Sequence, residues 1–411
     1  MENLFKALPT IKSILSKTPT HYPTCAIKLD RISARLRMAW LRSIALLSLV
    51  SSVRGNRVEL LSKDYEGAVT GEFESTHGNL DGAKLQPYAN DTSFDWWYFD
   101  AVSASSDANV VFGFYNAGPG GLGWFTESNL WFQIQGNFAN GTSFGNSFIA
   151  ATDAIITNDV IGLSAEWTGS GASFRATSLD SELITYTTTI DIPSLGVYGT
   201  VTLHSVAPPH YPCGLNVAGV SEEMLPNVGW ANAVPDAYAS VDLVINGTKL
   251  QFSDGIGYHD KNWGTAPLAD NLETWYWGHA RVGPYSIVWF DATPPNGAER
   301  FSGYVAKNGI VVQASCANKS VFVRPWGANS TYPPLPSTGP MQGIEVTFEL
   351  GNGETLAANV TTGAFVASDG DYYVRTLGSL SATIKSPGRD DEVFHGGRAL
   401  YEEFKFGPSQ K

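Results

Sequence analysis

Short runs of strand-forming residues, separated by glycine, asparagine and proline, set the pattern of this chain. Leu183-Ile184-Thr185-Tyr186-Thr187-Thr188-Thr189-Ile190 and Val360-Thr361-Thr362 are dense in β-branched side chains, which suit a pleated backbone. Val110-Val111-Phe112-Gly113-Phe114-Tyr115 and Tyr285-Ser286-Ile287-Val288-Trp289-Phe290 are apolar runs of strand length. Turn signals at Asn140-Gly141, Asn246-Gly247, Asn308-Gly309 and Gly351-Asn352-Gly353 divide such segments. With 42 Gly and 22 Pro in 411 residues, few stretches can sustain a long helix. The pattern predicts a mainly β chain with two apolar cores.

One aromatic pattern occurs twice. Trp97-Tyr98-Phe99-Asp100-Ala101-Val102 precedes a polar loop and Val110-Val111-Phe112-Gly113-Phe114. Trp275-Tyr276-Trp277-Gly278-His279-Ala280-Arg281-Val282 precedes Gly283-Pro284 and a second apolar run. Each reads as a hairpin of an aromatic strand, a turn and an apolar strand. The repeat predicts two related β domains, residues 58–266 and 267–411, joined near residues 264–272. The proline-rich stretches at residues 207–212 and 332–336 read as surface loops.

The densest chemistry lies in Gly257-Tyr258-His259-Asp260-Lys261-Asn262-Trp263-Gly264. In an extended run, Tyr258, Asp260 and Asn262 share one face and His259, Lys261 and Trp263 the other. Phe94-Asp95-Trp96-Trp97-Tyr98-Phe99-Asp100 offers a similar mixture of aromatic walls and carboxylates. Together they suit a large, mostly apolar ligand held by a few polar contacts. A carboxylic acid beside Trp and Tyr in an apolar cavity is expected to hold its proton toward neutral pH.

Composition narrows the partners. The chain is 43% hydrophobic and 12% aromatic but only 16% charged, against roughly 25% for an average domain. Nine of its 26 Lys/Arg but only two of its 39 Asp/Glu lie in residues 1–54, so the remainder carries a net charge of −20. Such a body repels phosphate backbones, and no glycine-rich phosphate loop is present, so nucleic acid is not an expected partner. Met38, Arg42 and the apolar run from Ser43 to Val50 read as a signal peptide at residues 38–54, behind an atypical extension at 1–37. The apolar run is too short to span a bilayer, so no stable membrane insertion is expected. Six Asn-X-Ser/Thr sequons, at Asn90, Asn140, Asn246, Asn318, Asn329 and Asn359, agree with passage through the secretory pathway or secretion. Beyond residue 54, Cys213 and Cys316 leave a single disulfide and two free thiols equally open.

Several chemistries recede. His210, His259 and His279 form no metal-binding spacing, and no metal or cofactor is expected. Gly141-Thr142-Ser143-Phe144-Gly145 matches a nucleophile elbow by letters, but it opens on an Asn-Gly turn in a β chain and reads as an ordinary turn. Asp95, Asp100, Asp260 and Asp291 could supply a glycosidase pair, which requires two carboxylates facing across a sugar.

The Asp-Trp-Trp-Tyr of residues 95–98 and the Tyr-His-Asp-Lys-Asn-Trp-Gly of residues 258–264 resemble the carotenoid 1,2-hydratase (hydroxyneurosporene synthase) superfamily. The fungal branch of lipocalin-like Diels–Alderases is most similar. The resemblance implies two lipocalin-like β-barrel or sandwich domains packed together with the substrate pocket between them. It implies that Asp260 and Tyr258 supply the acid or the hydrogen-bond donors; His259, between them in the motif, is a further catalytic candidate, although it and Lys261 can equally fix the corner of the chain. Asp95, Trp96, Trp97, Tyr98, Lys261, Asn262, Trp263, Trp275, Trp277 and Trp289 would bind apolar polyketide or terpenoid substrates. The implied activity is a cofactor-independent pericyclase, a hetero-Diels–Alderase joining a tropolone-derived o-quinone methide to a sesquiterpene such as humulene. The alternatives are a hydratase or cyclase protonating an alkene, and a non-catalytic carrier of an apolar metabolite.

Overall fold

The computed structural model describes residues 56–406, apart from residues 124–127, 296, 329, 336 and 371. The expected extension at 1–37, the expected signal peptide at 38–54 and the Asn329 sequon lie outside the described residues. The fold is nearly all β, built on two antiparallel sheets of 15 and nine strands, the first curled into a half-barrel. No helix of the described residues is long and apolar enough to cross a membrane.

The backbone of the first sheet is the long hairpin of Val228–Ile245 and Thr248–Gly264. Its turn, Asn246-Gly247, places both residues at positive φ, 49° and 77°, which matches the strand twist and which Asn and Gly tolerate best. Register shifts near Asn232, Val234 and Ala239 bend the pair. On one flank a meander of strands from Asp153 to Ser205 completes the sheet; on the other, Phe94–Val102 pairs with Thr248–Gly264 and leads to Asn109–Ala117 and Leu130–Asn137. The chain leaves this sheet after Gly264 and enters the second at Thr274–Val282, passing through one helical turn at Leu268–Asn271. The second sheet runs, in spatial order, from Tyr285–Thr293 through Thr274–Val282 and Glu392–Lys405 to Tyr373–Lys385. Both aromatic hairpins form in antiparallel register, Trp97 opposite Phe114 and Trp277 opposite Phe290.

The near-continuous apolar runs have a common cause: every residue of Phe94–Val102, Asn109–Ala117 and Tyr285–Thr293 is buried, because both faces of these strands are covered. Alternation then sorts neighbours into separate cores. Trp97, Phe99, Phe112 and Phe114 fill the curl of the first sheet. Trp96, Tyr98, Trp275, Trp277 and Phe290 meet between the two sheets. Tyr276, Trp289 and Tyr401 pack on the far face of the second sheet. Each large apolar side chain fully buried in this way contributes on the order of 2–3 kcal/mol.

Polar ties also cross from sheet to sheet. Arg281 donates to the Asp236 carboxylate from Nε at 2.8 Å, His279 Nε2 meets Asp100 Oδ2 at 3.0 Å, and Trp277 Nε1 donates to the Tyr258 hydroxyl at 3.2 Å. Cys213 and Cys316 form a disulfide, settling the open alternative. Of the described sequons, Asn140, Asn246, Asn318 and Asn359 are exposed, whereas Asn90 is half-buried and its amide donates to Gly67 O.

Candidate active site between the two sheets

Where the central core is incompletely filled, a cavity of about 800 Å³ remains, within the usual range for a small-molecule site. Aromatic walls come from both sheets: Trp96, Tyr98 and Tyr115 from the first, Trp275, Trp277 and Phe290 from the second. Polar groups converge at two places.

The first is Asp260, on the strand Thr248–Gly264. Its Oδ2 accepts from Trp230 Nε1 at 2.7 Å and from the Tyr258 hydroxyl at 2.8 Å, while Asn262 Nδ2 approaches Oδ1 at 3.3 Å. No cation pairs with it among the described residues. Burial, only partly offset by these donors, pushes the carboxyl up from 3.8 to about 7. Asp260 is therefore a carboxylic acid that holds a proton near neutrality in an aromatic cavity.

The second is Glu402 with Arg375. These are register partners on adjacent strands, and Glu402 is also opposite Trp277. Arg375 donates to Glu402 Oε1 from Nε at 2.7 Å and also from Nη2, and the Tyr373 hydroxyl reaches the same oxygen at 2.9 Å. Trp275 Nε1 donates to Oε2 at 3.3 Å. Burial raises the Tyr373 phenol far above its usual range, so it stays a donor, and Glu402 holds the Arg375 guanidinium in its charged form. Nearby, the Tyr115 hydroxyl donates to Gln133 Oε1 at 2.7 Å. Gly113 makes room for that contact, since a Cβ there would lie 2.8 Å from the Tyr115 ring.

Of the expected substrate-binding residues, Trp96, Tyr98, Asn262, Trp275 and Trp277 line the cavity together with Asp260. The others face elsewhere. His259 points into the curl of the first sheet, stacked on Phe99 with centroids 3.7 Å apart and bonded through Nε2 to Asp81 at 2.9 Å. It cannot act on a molecule in the cavity. Lys261 and Asp95 share that interior, paired at 2.8 Å, and Lys261 Nζ sits 3.8 Å from the Trp97 ring centroid. Burial pushes the Asp95 carboxyl up and the Lys261 ammonium down, each opposing the attraction of the pair. Trp263 donates to Glu72 O in the same region, and Trp289 packs in the far core of the second sheet. Strand alternation is the reason in each case. Tyr258 corrects the expectation differently: its hydroxyl accepts from Trp277 and donates to Asp260, so it is spent within the protein.

Sequence reasoning missed Trp230, Tyr373, Arg375 and Glu402. The available signal was charge in otherwise apolar strands, as in Ala399-Leu400-Tyr401-Glu402. Among the described residues, no cluster of three or more His, Cys, Asp or Glu is placed to hold a metal ion.

An aromatic cavity between two β sheets, with one acid that holds its proton near neutrality, suits an apolar small molecule. The chain matches the model of the Diels-Alderase-like family over residues 56–324, and it belongs to that family. It is 42% identical to a quinolone epoxide rearrangement protein of Penicillium thymicola, over 81% of this chain and 90% of the relative. It is 38% identical to another of that description from Emericella nidulans, over 90% of this chain and all of the relative. Among solved structures, CghA with Sch210972 shares the fold at a TM-score of 0.70 and 16% identity, covering 87% of this chain and all of that one. The chain is thus an isomerase- or cyclase-type enzyme of the fungal Diels–Alderase branch.

Proposed function

We propose that this enzyme closes a ring on an apolar secondary metabolite, with Asp260 as a neutral acid directed at an oxygen atom of the reacting system. The single observation behind this reading is a carboxyl with a pKa of about 7 and no partner cation among the described residues, set in an aromatic cavity. A hydrogen bond from such an acid lowers the energy of a carbonyl-containing heterodiene, while the walls hold two apolar reactants in contact. The particular reaction proposed is the intermolecular hetero-Diels–Alder addition of a tropolone-derived o-quinone methide to a sesquiterpene such as humulene. Its support is the resemblance of the two sequence motifs and the size of the cavity.

A second reading is favoured by the two relatives described as quinolone epoxide rearrangement proteins. Here Asp260 transfers its proton to the epoxide oxygen as the C–O bond breaks. The aromatic faces stabilise the cation, an internal nucleophile closes the ring, and a proton returns to the carboxylate. The net change is an isomerisation.

The variant Asp260→Asn separates the two. Asn keeps an N–H donor but has no acidic proton. A cycloaddition relying on a hydrogen bond should lose about tenfold or less in rate, whereas proton transfer to an epoxide should lose about 10²–10⁴-fold. Product analysis with each substrate class, against the spontaneous reaction, reads the outcome. If the wild-type protein leaves both spontaneous product distributions unchanged, the catalytic reading is wrong.

A further inference from the structure

The Arg375–Glu402 pair has more hydrogen-bonding capacity than the protein uses. Three donors, Arg375 Nε, Arg375 Nη2 and the Tyr373 hydroxyl, crowd onto Glu402 Oε1. Oε2 receives one long bond, from Trp275 Nε1 at 3.3 Å. A carboxylate oxygen accepts about two hydrogen bonds, so Oε2 retains room for another. Among the described residues, Arg375 Nη1 donates to nothing in the protein; its two N–H groups are additional to the two that hold Glu402. Both residues line the cavity. An incompletely paired charge in a low-dielectric interior is costly, so the spare capacity of this pair can be met by a molecule in the cavity.

We infer that Arg375 and Glu402 form a recognition site for a neutral head group in which a carbonyl oxygen stands beside an N–H or O–H. The carbonyl accepts from Arg375 Nη1 and the adjacent donor binds Glu402 Oε2. The chemical class is a lactam or a vicinal hydroxy-ketone. The pair is neutral as a whole, so a carboxylate ligand would meet the repulsion of Glu402 and an amine that of Arg375. Placement supports the assignment. Glu402 lies opposite Trp277 in the second sheet, and Trp277 is linked through the Tyr258 hydroxyl to Asp260. A head group anchored here leaves the rest of the molecule between Tyr98, Trp275 and Trp277, on the way to the acid. This inference rests on the cavity being the substrate site but not on Asp260 acting as the acid.

The test uses ligand pairs on the wild-type chain, so it does not depend on a variant folding. At about pH 5, where tropolone keeps its proton, 2-quinolone and tropolone are titrated by calorimetry against N-methyl-2-quinolone and tropolone methyl ether, which keep the carbonyl but lose the donor. 4-Methyl-2-quinolone controls for the added methyl group. The parents and the 4-methyl compound should bind at least about tenfold more tightly than the donor-blocked compounds. Equal affinities within twofold, or no binding by either parent, overturn the inference. Glu402→Gln, checked for folding by its near-ultraviolet spectrum, should reduce the preference to about threefold or less. Asp260→Asn should preserve it. A variant at Asp260 that loses the preference overturns the anchor. One that keeps both the preference and full turnover leaves the anchor standing and removes the acid reading instead.

Discussion

The order of donors around Asp260 determines where its proton resides. Trp230 Nε1 can only donate, and the Tyr258 hydroxyl, already accepting from Trp277, directs its own hydrogen to the same Oδ2. With Oδ2 occupied by two donors, the acidic proton belongs on Oδ1, beside Asn262. Tyr258 is therefore a positioning residue. Tyr258→Phe removes one donor that stabilises the carboxylate, so the Asp260 pKa rises and the alkaline limb of the pH–rate profile moves up by about one unit. If Tyr258 were itself the acid, that variant would abolish turnover across the whole pH range. The same group affects stability. Its folded pKa of about 7 lies above the ordinary 3.8, so the native state holds the proton more tightly than the unfolded chain does. Stability from this group is fully present below pH 3.8 and is lost as pH rises through about 7. Between pH 4 and pH 8, Asp260→Asn should therefore gain on the wild type by about 2–4 kcal/mol, as measured by urea unfolding at both pH values. A gap that does not change with pH would show that the carboxyl ionises without penalty.

At the scale of the element, one missing methyl group shapes the cavity wall. Gly113 lies in the same cross-strand row as Asp260, Tyr98 and Gln133, and its bare Cα admits the Tyr115 ring. Gly113→Ala places a Cβ 2.8 Å from that ring, forcing it off Gln133. The expected cost is about 1–3 kcal/mol of stability, with a raised KM and a nearly unchanged kcat. A fall in kcat with KM unchanged would mean that Tyr115 acts in the chemical step. Strands of this kind show how far the sequence could be read. The β-branched and aromatic runs, both Trp-rich hairpins and the sorting of residues 258–263 onto opposite faces were all legible, because period-two alternation is a local property. Which face met the cavity was not. Trp96 and Trp97 are both buried, so hydrophobicity alone cannot distinguish a cavity wall from a core. Arg375 and Glu402 stayed hidden because their meeting is a register property of two strands, 27 residues apart in sequence.

Across the whole molecule, the site depends on two sheets that share a core but are joined by a single passage of chain at residues 265–273. Their relative placement therefore depends on side-chain ties, and the segment at residues 207–213 is one of the strongest. It runs from the first sheet onto the strand Arg300–Lys307 of the second. There Tyr304 donates to Pro208 O and Ser302 to Pro212 O, each at 2.9 Å, and His210 stacks on Tyr304 with centroids 4.3 Å apart. Burial pushes His210 down to about 4, so it packs there as a neutral ring. The Cys213–Cys316 disulfide clamps the end of this segment across a separation of 103 residues. Closing so long a loop removes much freedom from the unfolded chain, and the expected contribution is about 2–4 kcal/mol. The paired variant Cys213→Ala with Cys316→Ala should lose that amount in urea unfolding, and a reducing agent should lower the wild type to the same midpoint. Because the packing and hydrogen bonds of residues 207–213 do not involve the sulfur atoms, turnover well below the melting temperature should change by less than about threefold. A much larger loss of turnover in a folded paired variant would show that the disulfide itself, rather than the packed segment, holds the two walls of the cavity in register.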